Sequence, residues 1–236
     1  MLLYIIRHGD PIYSPDSLTP LGHRQAEALA KRLSVHGLDE IYASPLIRAQ
    51  QTAQPTCELL HKQARILDWT SEAQAWSEFT FNDPARGGGL NWVFHIQNDK
   101  YKMPELLEGD KWYDAEPFRQ SRSREGYARI KRESDAFLAG LGYAREGLRY
   151  RVTTPNDKRV AVFCHQGFGV TWMSHLLGIH PLLFWSTFDI THSSVTIIEF
   201  RNNPDGYCAP MCLALSDTSH IYAERLPLEY NNRLKI

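Results

Sequence analysis

The sequence predicts an α/β fold, a three-layer αβα sandwich on a mainly parallel central sheet with an inserted cap. Three observations predict it. The unbroken apolar run Leu2-Leu3-Tyr4-Ile5-Ile6 stops at Arg7-His8-Gly9, as a strand covered on both faces stops at a glycine turn. The pattern returns far along the chain, where Val160-Ala161-Val162-Phe163 leads into Cys164-His165-Gln166-Gly167. Each run is followed by apolar residues at helical spacing, the strand-then-helix rhythm of a parallel sheet.

Taken in order, Leu2 to Ile6 is the first strand. Thr19-Pro20 supplies an N-cap and a first-turn proline, and Leu21, Ala26, Leu29, Ala30 and Leu33 carry a helix toward Gly37. Glu40 to Ala43 is a short second strand. Ser44-Pro45 reads as another cap and first-turn proline for a helix through Leu46, Ala49, Thr52 and Ala53, which Pro55 is expected to kink or restart. Arg65-Ile66-Leu67 is a short third strand. Strand-helix alternation is then lost from about 73 to 157, a stretch holding Trp76, Phe79, Phe81, Trp92, Phe94, Trp112, Tyr113 and Phe118 and a helix from Gly126 to Leu141. It reads as an insertion over one edge of the sheet of a single domain spanning 1–236, its aromatic residues forming a small core. The strand Arg159 to Cys164, a helix from Val170 to Leu177, and strands at Val195 to Phe200 and Met211 to Leu215 complete the unit.

Composition narrows the function. The 236 residues include 26 Lys+Arg against 27 Asp+Glu, with 43% hydrophobic and 22% charged residues, an ordinary globular profile. A net charge of -1 offers no bulk attraction for nucleic acid or a membrane surface, so neither is expected as a partner. Cys57, Cys164, Cys208 and Cys212 form no C-x-x-C pair and no disulfide framework, which points to a reducing compartment, the cytoplasm. The first apolar run meets Arg7 after five residues, too short for a signal core or a membrane span.

Ligands of open α/β sheets sit beyond the carboxyl ends of the strands. Three such ends here carry Arg7-His8-Gly9, Ser44-Pro45 with Arg48 a turn later, and His165. Two cations and two histidines in one crevice repel each other unless an anion joins them, and a phosphoryl dianion takes donors from several directions. Arg48 near a helix N-terminus sharpens the argument, because it stands at the wrong end of the helix dipole while a bound anion gains from both. A neutral imidazole is a competent nucleophile toward phosphorus, and an acid must protonate the departing alkoxide. Glu72 is the first candidate for that acid, with Asp10, Asp68 and Glu78 as rivals.

These motifs together resemble the histidine phosphatase superfamily, also called phosphoglycerate mutase-like. The resemblance rests on Arg7-His8-Gly9, on Leu18-Thr19-Pro20-Leu21-Gly22 with Gln25-Ala26, on Ser44-Pro45-Leu46-Ile47-Arg48-Ala49-Gln50-Gln51-Thr52-Ala53, and on a late strand ending at His165. It covers roughly residues 1 to 72 and 159 to 220. It implies that His8 is the phosphorylated nucleophile and that Arg7, Arg48 and His165 bind the phosphoryl oxygens. Glu72, 24 residues after Arg48, stands where the family's small phosphatases and mutases place the proton donor. The implied activity is metal-independent hydrolysis of small phosphomonoesters, with no cofactor. A mutase-type phosphotransferase and a non-catalytic phosphate-binding or interaction protein are the alternatives.

The chain departs from the family pattern in four places. Asp10-Pro11 follows the His-Gly where Glu and Thr or Ser are common, and Ser14 stands in place of a frequent phosphate-contacting asparagine and is the candidate phosphate ligand there. Gln166 replaces the glycine after the second histidine, so its backbone N–H is the part expected to reach phosphate while the side chain narrows the pocket. The Gly-x-Trp-Glu-Gly signature after the acid is missing.

Other features have plainer readings. Arg119, Arg122, Arg124, Arg129, Lys131 and Arg132 are interrupted by Glu116, Glu125 and Glu133, as on a solvated face. Gly87-Gly88-Gly89 lacks the Lys-Ser or Lys-Thr and helix of a nucleotide cradle and is read as a loop. His175 with His180, and Cys208 with Cys212, lack the further ligands of a zinc site. His220 is read as a surface or capping residue.

Overall fold

In the computed structural model, which describes residues 1–95 and 104–230, the chain opens with strand β1 (Leu2–Arg7), a small hairpin of β2 (Pro11–Tyr13) and β3 (Asp16–Leu18), and helix α1 (Pro20–Ser34). There follow β4 (Glu40–Ala43), α2 (Ile47–Leu60), β5 (Arg65–Ile66), α3 (Glu72–Phe79), a second hairpin of β6 (Thr80–Asp83) and β7 (Gly89–Trp92), and α4 (Ser123–Gly140). The remaining elements are β8 (Tyr143–Glu146), β9 (Arg149–Val152), β10 (Arg159–Cys164), α5 (Gln166–Leu177), α6 (Pro181–Thr187), β11 (Val195–Glu199), β12 (Tyr207–Cys208), β13 (Met211–Asp217) and α7 (Ser219–Ala223).

The central sheet has the order β13-β11-β1-β10-β4-β5. β1, β10, β4 and β5 pair in parallel, while β11 runs antiparallel to both β1 and β13, so the sheet is mainly parallel as predicted. Its two faces explain why the strands read as unbroken apolar runs. On β10, Val160, Val162 and Cys164 enter a core with Leu3 and Ile5 of β1 and with Ile130, Leu138, Phe168 and Trp172 of α4 and α5. Ala161 and Phe163 enter a second core with Ile6, Ile41 and Ala43 and with Leu29, Leu33 and Ala53 of α1 and α2. Strand side chains alternate between faces, and here a helical layer covers both.

Register brings the strand ends together. Arg7 lies opposite Cys164, so His8 and His165 leave the sheet side by side. Phe163 lies opposite Ala43, which delivers Ser44 next to His165 from the other flank.

The entry to α1 follows the sequence closely. Thr19 Oγ1 accepts the Gly22 N–H at 3.0 Å, with Pro20 in the first turn. Gly22 leaves room for the loop after β1: a Cβ there would lie 2.2 Å from the Asp10 carbonyl oxygen. Gly22→Ala is therefore expected to lower the free energy of unfolding by about 1–3 kcal/mol, the usual cost of overpacking. Chemical denaturation measures this, and an unchanged midpoint would contradict the contact.

α2 departs from expectation twice. It begins at Ile47 with Leu46 at the cap position and no side-chain cap, so Ser44-Pro45 does not open the helix. The Ser44 hydroxyl lies 2.7 Å from the His165 ring and receives the Leu46 N–H at 3.4 Å, ahead of the first helical residue, so it meets the approach to the helix and not its first turn. Pro55 lies inside a continuous helix instead of restarting it. The bond that proline removes is one among many, and Thr52, Ala53 and Thr56 stay buried on the packed face.

Within 73–157, residues 96–103 lie outside the described residues. The helix expected there is α4, which joins α5 in the layer against one face of the sheet. Phe79, Phe81, Trp112, Tyr113 and Phe118 are buried in the core, whereas Trp76 is exposed and Trp92 and Phe94 are partly covered. Gly87 and Gly88, both at positive φ, make the turn between β6 and β7. His220 is buried, not superficial: Ser193 Oγ lies 3.0 Å from its Nε2 and Arg32 Nη1 3.4 Å from its Nδ1. The surface reading failed because α7 folds back onto α1, an arrangement no local pattern encodes. Among the described residues no helix is long and apolar enough to cross a membrane, and no three His, Cys, Asp or Glu side chains are grouped to hold a metal ion.

Candidate active site

His8 sits at the mouth of the sheet with its backbone fixed on both sides. Its N–H donates to the Cys164 carbonyl at 3.0 Å and its carbonyl accepts the Ser193 N–H at 2.9 Å. Next to it, the Gly9 N–H donates to Thr52 Oγ1 at 3.0 Å. The His8 ring is fixed as well. Nδ1 lies 2.7 Å from the Gly9 carbonyl oxygen, which can only accept, so Nδ1 carries the proton and Nε2 keeps its lone pair. Arg48 Nε points at that Nε2 from 3.3 Å.

His165 is completely buried, its ring centroid 5.1 Å from that of His8. Ser44 Oγ receives the Leu46 N–H at 3.4 Å and lies 2.7 Å from His165 Nε2. The other ring nitrogen, Nδ1, has no hydrogen-bond partner among the described residues, and it is a donor when the Ser44 hydroxyl gives its proton to Nε2. Arg7 is similar: Nη1 donates to the Ile190 carbonyl at 2.6 Å, Nη2 contacts His192 Nε2 at 2.7 Å, and the buried Nε is unpartnered among the described residues. Buried polar groups are nearly always paired, so two nitrogens without a partner among the described residues, on side chains beside one imidazole, mark a ligand position.

Arg48 occupies the second position of α2, and its charge is balanced by a residue the sequence reading overlooked. Asp16 on β3 accepts Arg48 Nη1 through Oδ1 and the Ile47 N–H through Oδ2, each at 2.6 Å. One carboxylate thus serves both the helix N-terminus and the cation placed against its dipole. His192 was overlooked too. It links Arg7 toward Asp10, whose Oδ1 is 3.8 Å from His192 Nδ1, and its ring centroid is 5.5 Å from that of His8. The only sequence signal for it is a histidine just before a strand.

Glu72 begins α3 and reaches across to the start of α5. Its Oε1 accepts the Gly167 N–H at 2.8 Å and its Oε2 the Phe168 N–H at 2.9 Å, within three residues of His165. The rival acids are placed differently. Glu78 is held by Arg129 in a bidentate pair, Nε to Oε1 at 2.8 Å and Nη2 to Oε2 at 2.6 Å. Asp68 is exposed. Asp10 stays at the rim, accepting the Thr19 hydroxyl at 2.6 Å. Arg7, His8, Arg48 and His165 form the centre of the cluster, and Glu72 borders it. Ser14 is not brought in: it is exposed at the tip of the β2–β3 hairpin and has no hydrogen bond to the cluster among the described residues. The Gln166 side chain donates to the Asp189 carboxylate.

The electrostatics separate the roles. Burial, then the His165, Arg7 and Arg48 charges, hold His8 well below the usual 6.5, which keeps it neutral. Burial, then Arg48 and Arg7, do the same to His165. Burial and the same two arginines push His192 down to about 3. Glu72 moves the other way: burial raises it from 4.5, against two amide N–H bonds and both arginines. A neutral nucleophile and a carboxyl group inclined to keep its proton can act in one step.

A family model described as histidine phosphatase superfamily (branch 1) matches residues 3–137, more than half of the chain. Comparison with curated proteins gives no match. Among solved structures, phosphoserine phosphatase from Entamoeba histolytica in complex with 3-phosphoglyceric acid superposes with a TM-score of 0.62 at 20% identity, covering 93% of this chain and 98% of that one. A mycobacterial glucosyl-3-phosphoglycerate phosphatase with inorganic phosphate gives 0.62 at 18% identity, covering 93% and 98%. A protein described as mycobacterial hydrolase 2 gives 0.60 at 17% identity, covering 98% of each chain. At these identities the likeness is one of fold.

Proposed function

The chain belongs to the histidine phosphatase superfamily, and from that premise we propose that it is a metal-independent phosphomonoesterase acting through a phosphohistidine on His8. One observation carries this reading: His8 holds an unprotonated Nε2 that Arg48 Nε meets, and Arg7 Nε and His165 Nδ1, both buried nearby, have no hydrogen-bond partner among the described residues. The phosphoryl dianion would lie among those nitrogens. His8 Nε2 attacks phosphorus in line, the N–P bond forming as the ester P–O bond breaks, and Glu72 gives its proton to the departing oxygen. Glu72, now ionised, takes a proton from water. The water oxygen attacks phosphorus, the N–P bond breaks and inorganic phosphate leaves. Arg7, Arg48 and His165 hold the equatorial oxygens in both steps and stabilise the charge that builds there.

In this reading the aromatic part of segment 73–157 beside Glu72 caps the site, α4 of that segment belonging to the layer against the sheet, and the substrate is a small phosphoester. The solved relatives named for phosphoserine and glucosyl-3-phosphoglycerate support that substrate class. The test is phosphate release from a panel of phosphoesters with a chelator present. Release from at least one ester, insensitive to the chelator, is expected. Binding without release from any ester, or release abolished by the chelator, would reject the proposal.

A further inference from the structure

The inference concerns the substrate's alcohol portion and rests on the phosphatase reading. With the phosphoryl group held by Arg7, Arg48 and His165, the departing oxygen must face the carboxyl group that protonates it, so the alcohol lies on the Glu72 side of the cup.

That side is aromatic. A Cβ placed on Gly167 would lie 3.0 Å from Glu72 Oε1, 2.8 Å from Trp92 Cη2 and 3.0 Å from Phe94 Cζ, so the ends of both rings adjoin the carboxylate. Only a glycine at 167 lets the first turn of α5, the acid and the two rings meet there. Trp92 and Phe94 are stacked, with centroids 4.9 Å apart and planes at 22°. Trp76, one helical turn after Glu72 on α3, stands edge-on to Trp92 at 4.9 Å. Trp185 backs Phe94 at 5.7 Å, and Trp92 is held in the β6–β7 ladder opposite Thr80. Unlike the aromatic residues of the buried core, these three keep part of their surface: Trp76 is 36% exposed, and Trp92 and Phe94 are partly covered.

We propose that Trp92, Phe94 and Trp76 form the subsite for the leaving alcohol, and that the enzyme prefers phosphoesters whose alcohol carries a planar aromatic ring. Such a ring gains stacking or edge contacts here, whereas a short aliphatic alcohol reaches little of the wall. The rings are braced by their neighbours, so little ordering cost opposes that gain.

The experiment compares kcat/KM for 2-naphthylmethyl phosphate and ethyl phosphate, two alkyl esters with alcohols of similar basicity, so that the chemical step is matched. Wild type is expected to favour the aromatic ester by about tenfold, from a few ring contacts. In Trp76→Ala and Trp92→Ala the ratio falls toward one, and in Trp92→Phe much of it returns. Trp76 is exposed, so its variant keeps the test open if Trp92→Ala fails to fold, as circular dichroism would reveal. A wild-type ratio near one, or variants that slow both esters alike and preserve the ratio, would overturn the subsite while leaving the phosphatase reading intact. An enzyme that hydrolyses no phosphoester overturns both.

Discussion

Replacing His8 by alanine is expected to lower kcat for phosphoester hydrolysis by about four orders of magnitude or more, the scale on which loss of a covalent nucleophile is felt. His8 is 3% exposed, yet the shorter of its two ring bonds, to the Gly9 carbonyl, is local, the other being to Arg48 Nε. The strand below it is held by backbone bonds that alanine keeps, including His8 N–H to Cys164 and Ser193 N–H to the His8 carbonyl. The variant should therefore fold, and phosphate should still bind through Arg7, Arg48 and His165. Steady-state kinetics with a calorimetric phosphate titration checks both halves. Near-normal turnover in the variant would eliminate the mechanism.

Glu72→Gln should produce a loss that depends on the leaving group. Glutamine keeps the shape but has no proton to give, so hydrolysis of an alkyl ester is expected to fall by about 10²–10⁴-fold. An ester of a good leaving group such as p-nitrophenol needs little help and should lose far less in its first step. Equal losses for both esters would reassign Glu72 to a structural role at the start of α5. The pH profile adds a signature. The first step requires neutral His8 and protonated Glu72. Since His8 is held well below 6.5, the nucleophile stays available on the acid side of the usual histidine range. Since Glu72 is raised above 4.5, its acid form survives to higher pH than an ordinary glutamate would allow. The alkaline fall in kcat/KM for the alkyl ester belongs to Glu72 and should disappear in Glu72→Gln.

Much of this site was legible in the sequence, for a physical reason. A strand buried on both faces must be apolar throughout, so the polar residues at its end stand out, and Arg7-His8 and His165 stand there. Thr19-Pro20 was legible because capping is local chemistry. The failures share one cause, interactions set by distant pairing. Ser44 looked like a cap, yet β4 and β10 place it beside His165. Asp16 went unnoticed because only the β2–β3 hairpin carries it onto Arg48. The balancing anion at α2 was thus already within the chain. His192 had only its place just before a strand to mark it, because the antiparallel return of β11 beside β1 is what brings it against Arg7. The aromatic stretch was readable as a core, and for Trp112 and Phe118 it is one. That Trp92 and Phe94 border Glu72 depends on a glycine in another helix.

The most direct test is the covalent intermediate. Wild-type protein is mixed with a radiolabelled phosphoester, quenched in alkali within milliseconds, digested and mapped by mass spectrometry. The predicted result is a label that survives base, is lost in acid as an N-linked phosphate is, and maps to His8 alone. Continued hydrolysis with no trapped label, or with the label on another residue, would contradict the account.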